Sequence, residues 1–203
     1  MHIDIQYLPS LEYCALIFNE QQIEFEVYES FPKQTYRNRT YILGANGVEL
    51  LSIPVVHNSN GKQITKDIEI DYSQDWIRKH KGAIQAAYGK APYFEHVEPF
   101  IDQIFAKKSK FLVDLNIQFL NTISRFLQKK PEFILTDSFI DRTESSFWNV
   151  IDSKKDYSLR NIYVPVSYRQ CFGTDFVANL SVLDLIMNHG IESREILQKS
   201  LNK

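Results

Sequence analysis

The chain has 203 residues, 44% of them hydrophobic and 24% charged, which suits one folded domain and excludes an intrinsically disordered segment. A formal net charge of −2 and a pI near 6.2 exclude a global basic field, so any anion site must be local and a nucleic-acid partner is not expected. The widely separated Cys14 and Cys171 read as free thiols of a reducing compartment. With no secretory leader at Met1-His2-Ile3-Asp4-Ile5 and no run near the roughly 20 apolar residues of a membrane span, a cytoplasmic protein is expected.

Residues 2–7 read as a short strand. Ser10 then caps a helix over about 10–19 whose Leu11, Tyr13, Cys14, Ala15, Leu16, Ile17 and Phe18 are apolar nearly all round, the mark of a buried helix. The alternation Ile23-Glu24-Phe25-Glu26-Val27-Tyr28 gives a half-exposed strand. Next comes the basic run Lys33-Gln34-Thr35-Tyr36-Arg37-Asn38-Arg39-Thr40-Tyr41-Ile42-Leu43. It leads into Asn46-Gly47, a pair that tolerates the positive φ of a type I′ hairpin turn, and into the strand Val48 to Ile53, which Pro54 ends. Asn58-Ser59-Asn60-Gly61 predicts a second turn, and Ile64, Ile68 and Ile70 alternate with polar residues as a third strand, completing an antiparallel meander over 38–71.

Ser73 is placed to cap a helix over 74–88, with Trp76, His80, Ile84, Ala87 and Tyr88 on its inner stripe and Gly89 and Pro92 after it. Further helices are expected over about 95–107 and 110–128, the second from Leu112, Leu115, Phe119, Ile123, Phe126 and Leu127 at three- and four-residue steps. Phe133-Ile134-Leu135 suits a strand, 136–160 a connection with a short helix near Trp148, and Tyr163-Val164-Pro165-Val166 an edge strand. Ser181-x-x-Asp184 has the spacing of a helix-capping box, and helices close the chain over 181–202 with Gly190 between them. The expected fold is mixed α/β with an α+β character: one domain, 1–203, in which a central mixed sheet is packed by helices. The β-helix-β order of residues 2–28 permits one parallel pair.

If the basic run is extended, Lys33, Thr35, Arg37, Arg39 and Tyr41 share one face at roughly 6.5 Å spacing, suited to gripping a diphosphate with two planar guanidinium forks. The alternative is a solvated strand whose arginines offset Glu24, Glu26 and Glu29. No glycine-rich phosphate loop, Gly-x-Ser-x-Gly turn, Cys-x-x-Cys pair or His-Glu-x-x-His helix is present, and no cofactor is implied. His80 is either a general base near a crevice or a hydrogen-bonded core residue. His96 with Glu95 and Glu98 lacks a third metal ligand of convincing spacing, and Asp184 is either a base or part of a cap.

Several stretches together resemble the WbqC-like family: Tyr7-Leu8-Pro9 with Leu11 and Tyr13, Tyr36-Arg37-Asn38-Arg39, Leu51-Ser52-Ile53-Pro54-Val55, and Trp76 with His80. The likeness continues through Tyr88, Ala91-Pro92-Tyr93-Phe94, Leu112-Val113-Asp114-Leu115-Asn116, Tyr168-Arg169-Gln170 and Asn179 to Leu185. It covers nearly the whole chain. Two features depart from it: Ile3, Asp4 and Ile5 stand where many members carry His-Gln-Pro, and longer members carry extra sequence before the Tyr-x-Gln motif. The resemblance implies a role in bacterial cell-surface polysaccharide of the O-antigen type. Joined to the basic face, it implies a transferase-like enzyme acting on a nucleotide sugar or another phosphate-bearing donor. Arg37, Arg39 and Lys33 would hold phosphate, Asn38, Gln170, Tyr168 and Asn179 would bind polar groups, Trp76 or Tyr36 would stack, and His80 would be the base. The rival expectation is a non-catalytic binding or accessory protein with a protein partner, in which the same residues form buried structural networks.

Overall fold

The computed structural model describes residues 1–56, 61–141 and 146–202. It is a mixed α/β fold. Strand β1 (His2–Asp4), helix α1 (Leu11–Ile17) and strand β2 (Gln22–Glu26) form a parallel crossover unit in register Ile3↔Phe25. Strand β5 (Glu132–Leu135) adds on the other side of β2, also parallel, giving the order β1-β2-β5. A parallel bridge from His2 to Ser146 extends the β1 edge. All seven residues of α1 are buried, and the Ser10 hydroxyl accepts the Tyr13 amide at its start, as the sequence predicts.

Strands β3 (Arg39–Gly44) and β4 (Gly47–Ser52) form a separate antiparallel hairpin. Its turn differs from the expected type I′. Gly44 pairs with Gly47, and of Asn46 and Gly47 only the glycine has positive φ, at 106°. The meander stops at two strands. Residues 64–70 carry a 3-10 turn, Thr65–Asp67, and only isolated bridges, because their backbone groups bond elsewhere. Thr65 and Lys66 donate to the carbonyls of Glu29 and Val27, Ile70 donates to Lys110, and Ile68 accepts from Leu112. Apart from Gly61, the expected turn at 58–61 lies outside the described residues.

Helices α2 (Trp76–Tyr88), α3 (Phe94–Ala106) and α4 (Leu112–Phe126) pack their apolar stripes into one core with α1. Asp75 rather than Ser73 caps α2, its carboxylate accepting the Arg78 amide. Helices α5 (Val182–His189) and α6 (Ser193–Ser200) are joined through Gly190. A Cβ on Gly190 would lie 2.5 Å from the Tyr93 ring, at a φ of 54°, so glycine is required there. The expected strand at 163–166 is reduced to one bridge, Tyr163 to Leu201. Among the described residues no helix is long and apolar enough to cross a membrane.

A single strained residue ties these parts together. Leu8, just before Pro9, has φ 40°, a conformation costly for a side chain with a Cβ. Its carbonyl accepts the hydroxyls of Thr40 in β3 (2.7 Å) and Ser181 at the start of α5 (3.0 Å), so neighbours from both ends of the chain hold the strain in place.

Candidate functional site

Ligands of open α/β sheets sit at the carboxyl ends of parallel strands, and the buried charges of this chain gather there. Asp4 ends β1, Glu26 ends β2, and Glu29 follows three residues later. Arg37 reaches into this group. Its guanidinium meets Glu29 Oε1 at 2.5 Å, Asn149 Oδ1 at 2.8 Å and Asp4 Oδ2 at 3.6 Å, and the residue is 2% exposed. Asn149 closes the ring by donating its backbone amide to Asp4 Oδ1 (2.9 Å), and the Trp148 indole donates to Glu29. Burial pushes the Glu29 carboxyl above the usual carboxylate range, with Arg37 pulling it back.

The basic run is therefore not one extended face. Residues 33–38 are bends and turns, with Gln34 at φ 60° and the Asn38 amide donating to Thr35 O, and the strand begins only at Arg39. Alternation holds only for extended backbone, so Lys33, Arg37 and Arg39 separate. Arg37 turns inward. Lys33 is exposed, without a partner among the described residues. Arg39 is half-buried in β3 opposite Ser52, with a buried Nε that no acceptor meets. Asn38 donates its amide to Ile53 O, Asn116 donates to Arg37 O, and the Tyr36 carbonyl accepts the Tyr7 amide while its ring meets Tyr41 edge-on.

His80 lies in the core at 3% exposure. Its Nε2 is 3.3 Å from Ser52 O and its Nδ1 2.9 Å from the Tyr7 hydroxyl. A carbonyl can only accept, so Nε2 carries the proton and the lone pair of Nδ1 faces Tyr7. Trp76 packs edge-on against the ring, and desolvation lowers the His80 pKa to about 4. The lone pair that a general base would use is already taken by Tyr7.

The C-terminal motif residues form a third centre, around Asp184. Its Oδ2 accepts the Tyr168 hydroxyl (2.7 Å) and the Gln170 amide (2.9 Å). Gln170 also exchanges two bonds with Val177, pinning the 170–177 loop. The expected capping box is not made: the Ser181 amide donates to Tyr41 O, and Asp184 points into the protein instead. Burial raises its carboxyl pKa.

A fourth centre was not visible in the sequence as a site. Glu12, fully buried in α1, takes a two-pronged pair from Arg160 at 2.7 and 2.6 Å, and Asn179 accepts the Glu12 amide and donates to its carboxylate. A single acid in an otherwise apolar helix was the signal for it. The sequence predicts Glu29 only as one of three acids offsetting the arginines of a solvated strand, and its pairing with Arg37 is buried instead; Asp4, Trp148 and Asn149 carried no comparable signal, because their meeting depends on how distant segments fold.

Three large grooves lie elsewhere. One of about 1250 Å³ runs between the end of α1, the turn after α4 and α6; two of about 490 Å³ lie between α2 and α3 and between α3 and α4. None of the sequence-predicted site residues lines them. Among the described residues no group of three or more His, Cys, Asp or Glu side chains is disposed to hold a metal ion.

A model of the WbqC-like protein family matches residues 5–166 and 153–196. The chain belongs to the WbqC-like protein family. The WbqC-like chain is also similar to the uncharacterized protein Rv1507c of Mycobacterium tuberculosis, at 23% identity over 225 residues, covering 97% of this chain and 96% of that protein. No solved structure matches it. The matched span includes the Arg37, His80, Gln170 and Asp184 centres alike.

Proposed function

We propose that this WbqC-like protein is a non-catalytic binding or accessory protein of bacterial cell-surface polysaccharide assembly. One observation carries the reading: apart from Arg39 and Lys33, the motif residues suited to gripping a ligand are bonded within the fold instead. Arg37 is paired with Glu29 and Asp4, His80 with Tyr7 and Ser52, Gln170 with Asp184 and Val177, and Asn179 with Glu12. Such buried hydrogen-bonded networks fix one backbone arrangement, so they shape surfaces rather than meet substrate. The association with surface polysaccharide comes from the family resemblance. The test is incubation with a panel of nucleotide sugars and candidate acceptors, reading release of nucleoside diphosphate; the expected result is no turnover with any donor.

A second reading, a transferase-like enzyme acting on a nucleotide sugar or other phosphate-bearing donor, is favoured by one feature. Glu29 has a raised pKa at the carboxyl ends of the parallel strands. An acceptor hydroxyl would give its proton to the Glu29 carboxylate while its oxygen bonds to the sugar carbon. The bond from that carbon to the diphosphate oxygen would break, the electron pair leaving with the diphosphate. Sustained diphosphate release that Glu29→Gln abolishes in a folded protein would establish this reading over the first.

A further inference from the structure

The strongest unassigned feature is a pair of joined grooves on the face away from the carboxyl ends of β1 and β2. The 1250 Å³ groove contains Lys129, Arg194 and Lys199, and the groove between α3 and α4 contains Lys107, Arg125, Lys129 and Lys130. Lys129 lines both, so the two adjoin at that residue. None of these six cations makes an ion pair among the described residues, and Glu195 is the one acid in either lining. In a chain with an overall charge of −2, this is a concentrated local positive field.

The rest of the lining narrows the ligand. The side-chain amides of Gln103, Asn121, Gln128 and Gln198 line the grooves and make no hydrogen bonds among the described residues. A free amide offers donors and an acceptor together, matched to neighbouring sugar hydroxyls. Phe100 is the only aromatic residue in either lining, and its ring already meets Phe126 edge-on. Unpaired bases, which need stacking platforms, therefore find little here. The combined volume exceeds that of a pocket closing around one small molecule. The geometry points to an extended anionic glycan, a sugar chain bearing carboxylate or phosphate groups, lying along both grooves with Lys129 at their junction.

This inference names the ligand class of the binding reading above and rests on it. The test is equilibrium binding to alginate, a soluble polyuronate, with neutral dextran as control and a single-stranded DNA oligonucleotide and phosphatidylglycerol vesicles as competitors. The expected result is saturable alginate binding that weakens steeply with salt and is absent on dextran. Lys129→Glu with Arg194→Glu should lower affinity at least tenfold, whereas Lys154→Glu with Lys155→Glu, an equal change of net charge on an exposed loop, should change it less than twofold. Lys107→Glu with Lys130→Glu, in the second groove, should lower it at least threefold, and it decides the matter if the first variant melts below the assay temperature. Absence of alginate binding, equal losses in groove and control variants, or tighter binding of the oligonucleotide or vesicles would overturn the inference. Nucleotide-sugar turnover, scored separately, bears on the accessory reading alone.

Discussion

Two sets of cations in this protein carry the same charge and have opposite surroundings. Arg37 is 2% exposed and enclosed by Glu29, Asp4 and Asn149. Lys129, Arg194 and their neighbours line open grooves, with no carboxylate within ion-pairing reach among the described residues. A guanidinium removed from water has to be matched inside the protein, and its removal leaves its partners buried and uncompensated. A solvated ammonium has no such dependence and is free to meet a ligand. The same basic residue type thus builds the fold in one region and stays available for binding in the other.

The largest expected effect comes from breaking the enclosed set. Arg37→Met keeps the bulk of the side chain but strands Asp4 and Glu29, and should destabilise the protein by about 3–5 kcal/mol, measured as the fall in urea midpoint. Adding Glu29→Gln to Arg37→Met should recover part of that loss, because one stranded charge is then neutral. If Arg37→Met costs no more than a surface substitution, the network is not the stabilising element described here.

His80 gives a comparable effect through pH. Its folded pKa of about 4 lies below the ordinary 6.5, so the unfolded chain binds the proton first. The stability it confers is complete above pH 6.5 and is lost as pH falls toward 4. The whole window corresponds to about 3 kcal/mol at 1.36 kcal/mol per pH unit. His80→Gln can still donate to Ser52 O and accept from Tyr7 but does not titrate. The difference in unfolding free energy between the two proteins should therefore change across that window and stay constant above it. Glu29 and Asp184, whose carboxyls are raised by burial, act in the opposite sense, favouring the folded state at lower pH, and cancel from this difference because both proteins contain them.

Much of the architecture was legible because it follows from local pattern. The all-round apolar α1, the three- and four-residue steps of α4 and the Asn46-Gly47 hairpin each follow from interactions a few residues long. The pairing of β2 with β5 and the Arg37 network do not. Glu132 joins the backbone at Gln21, and the Arg37 guanidinium finds Asn149, 112 residues away. The three-cation face failed because the backbone of 33–38 bends and turns, with Gln34 at φ 60° and Asn38 bonded back to Thr35, where alternation assumes it straight. The candidate site was legible as a set of residues to watch, while their roles depended on partners such as Asp4 and Trp148 that no local motif marks.

The Asp184 centre lies between the two extremes. Asp184→Asn keeps a polar side chain of nearly the same size but replaces a charged acceptor for the Tyr168 hydroxyl and the Gln170 amide. Because burial already disfavours the ionised carboxyl, the loss should be that of weakened hydrogen bonds, about 1–2 kcal/mol, and it should appear first as faster proteolysis within 170–177. A cost as large as that of Arg37→Met would put Asp184 with the enclosed charges, and an unchanged loop would mean that Gln170's bonds to Val177 suffice to hold it.

The smallest effect on stability should come from the open set, and that smallness is informative. Lys129→Gln with Arg194→Gln removes two half-buried cations that line an open groove and make no ion pair among the described residues, and glutamine keeps part of each stem, so the urea midpoint should move by no more than about 0.5 kcal/mol in either direction. Relief of repulsion among neighbouring cations would make the sign slightly stabilising, most visibly at low salt, where screening is weakest. A stabilising shift that disappears at high salt would mark the grooves as a surface where like charges are held together at a cost to folding, as a site for an anion requires. A loss above about 1 kcal/mol would instead mean that Lys129 or Arg194 contributes to packing, and the contrast between enclosed and open cations would then be one of degree.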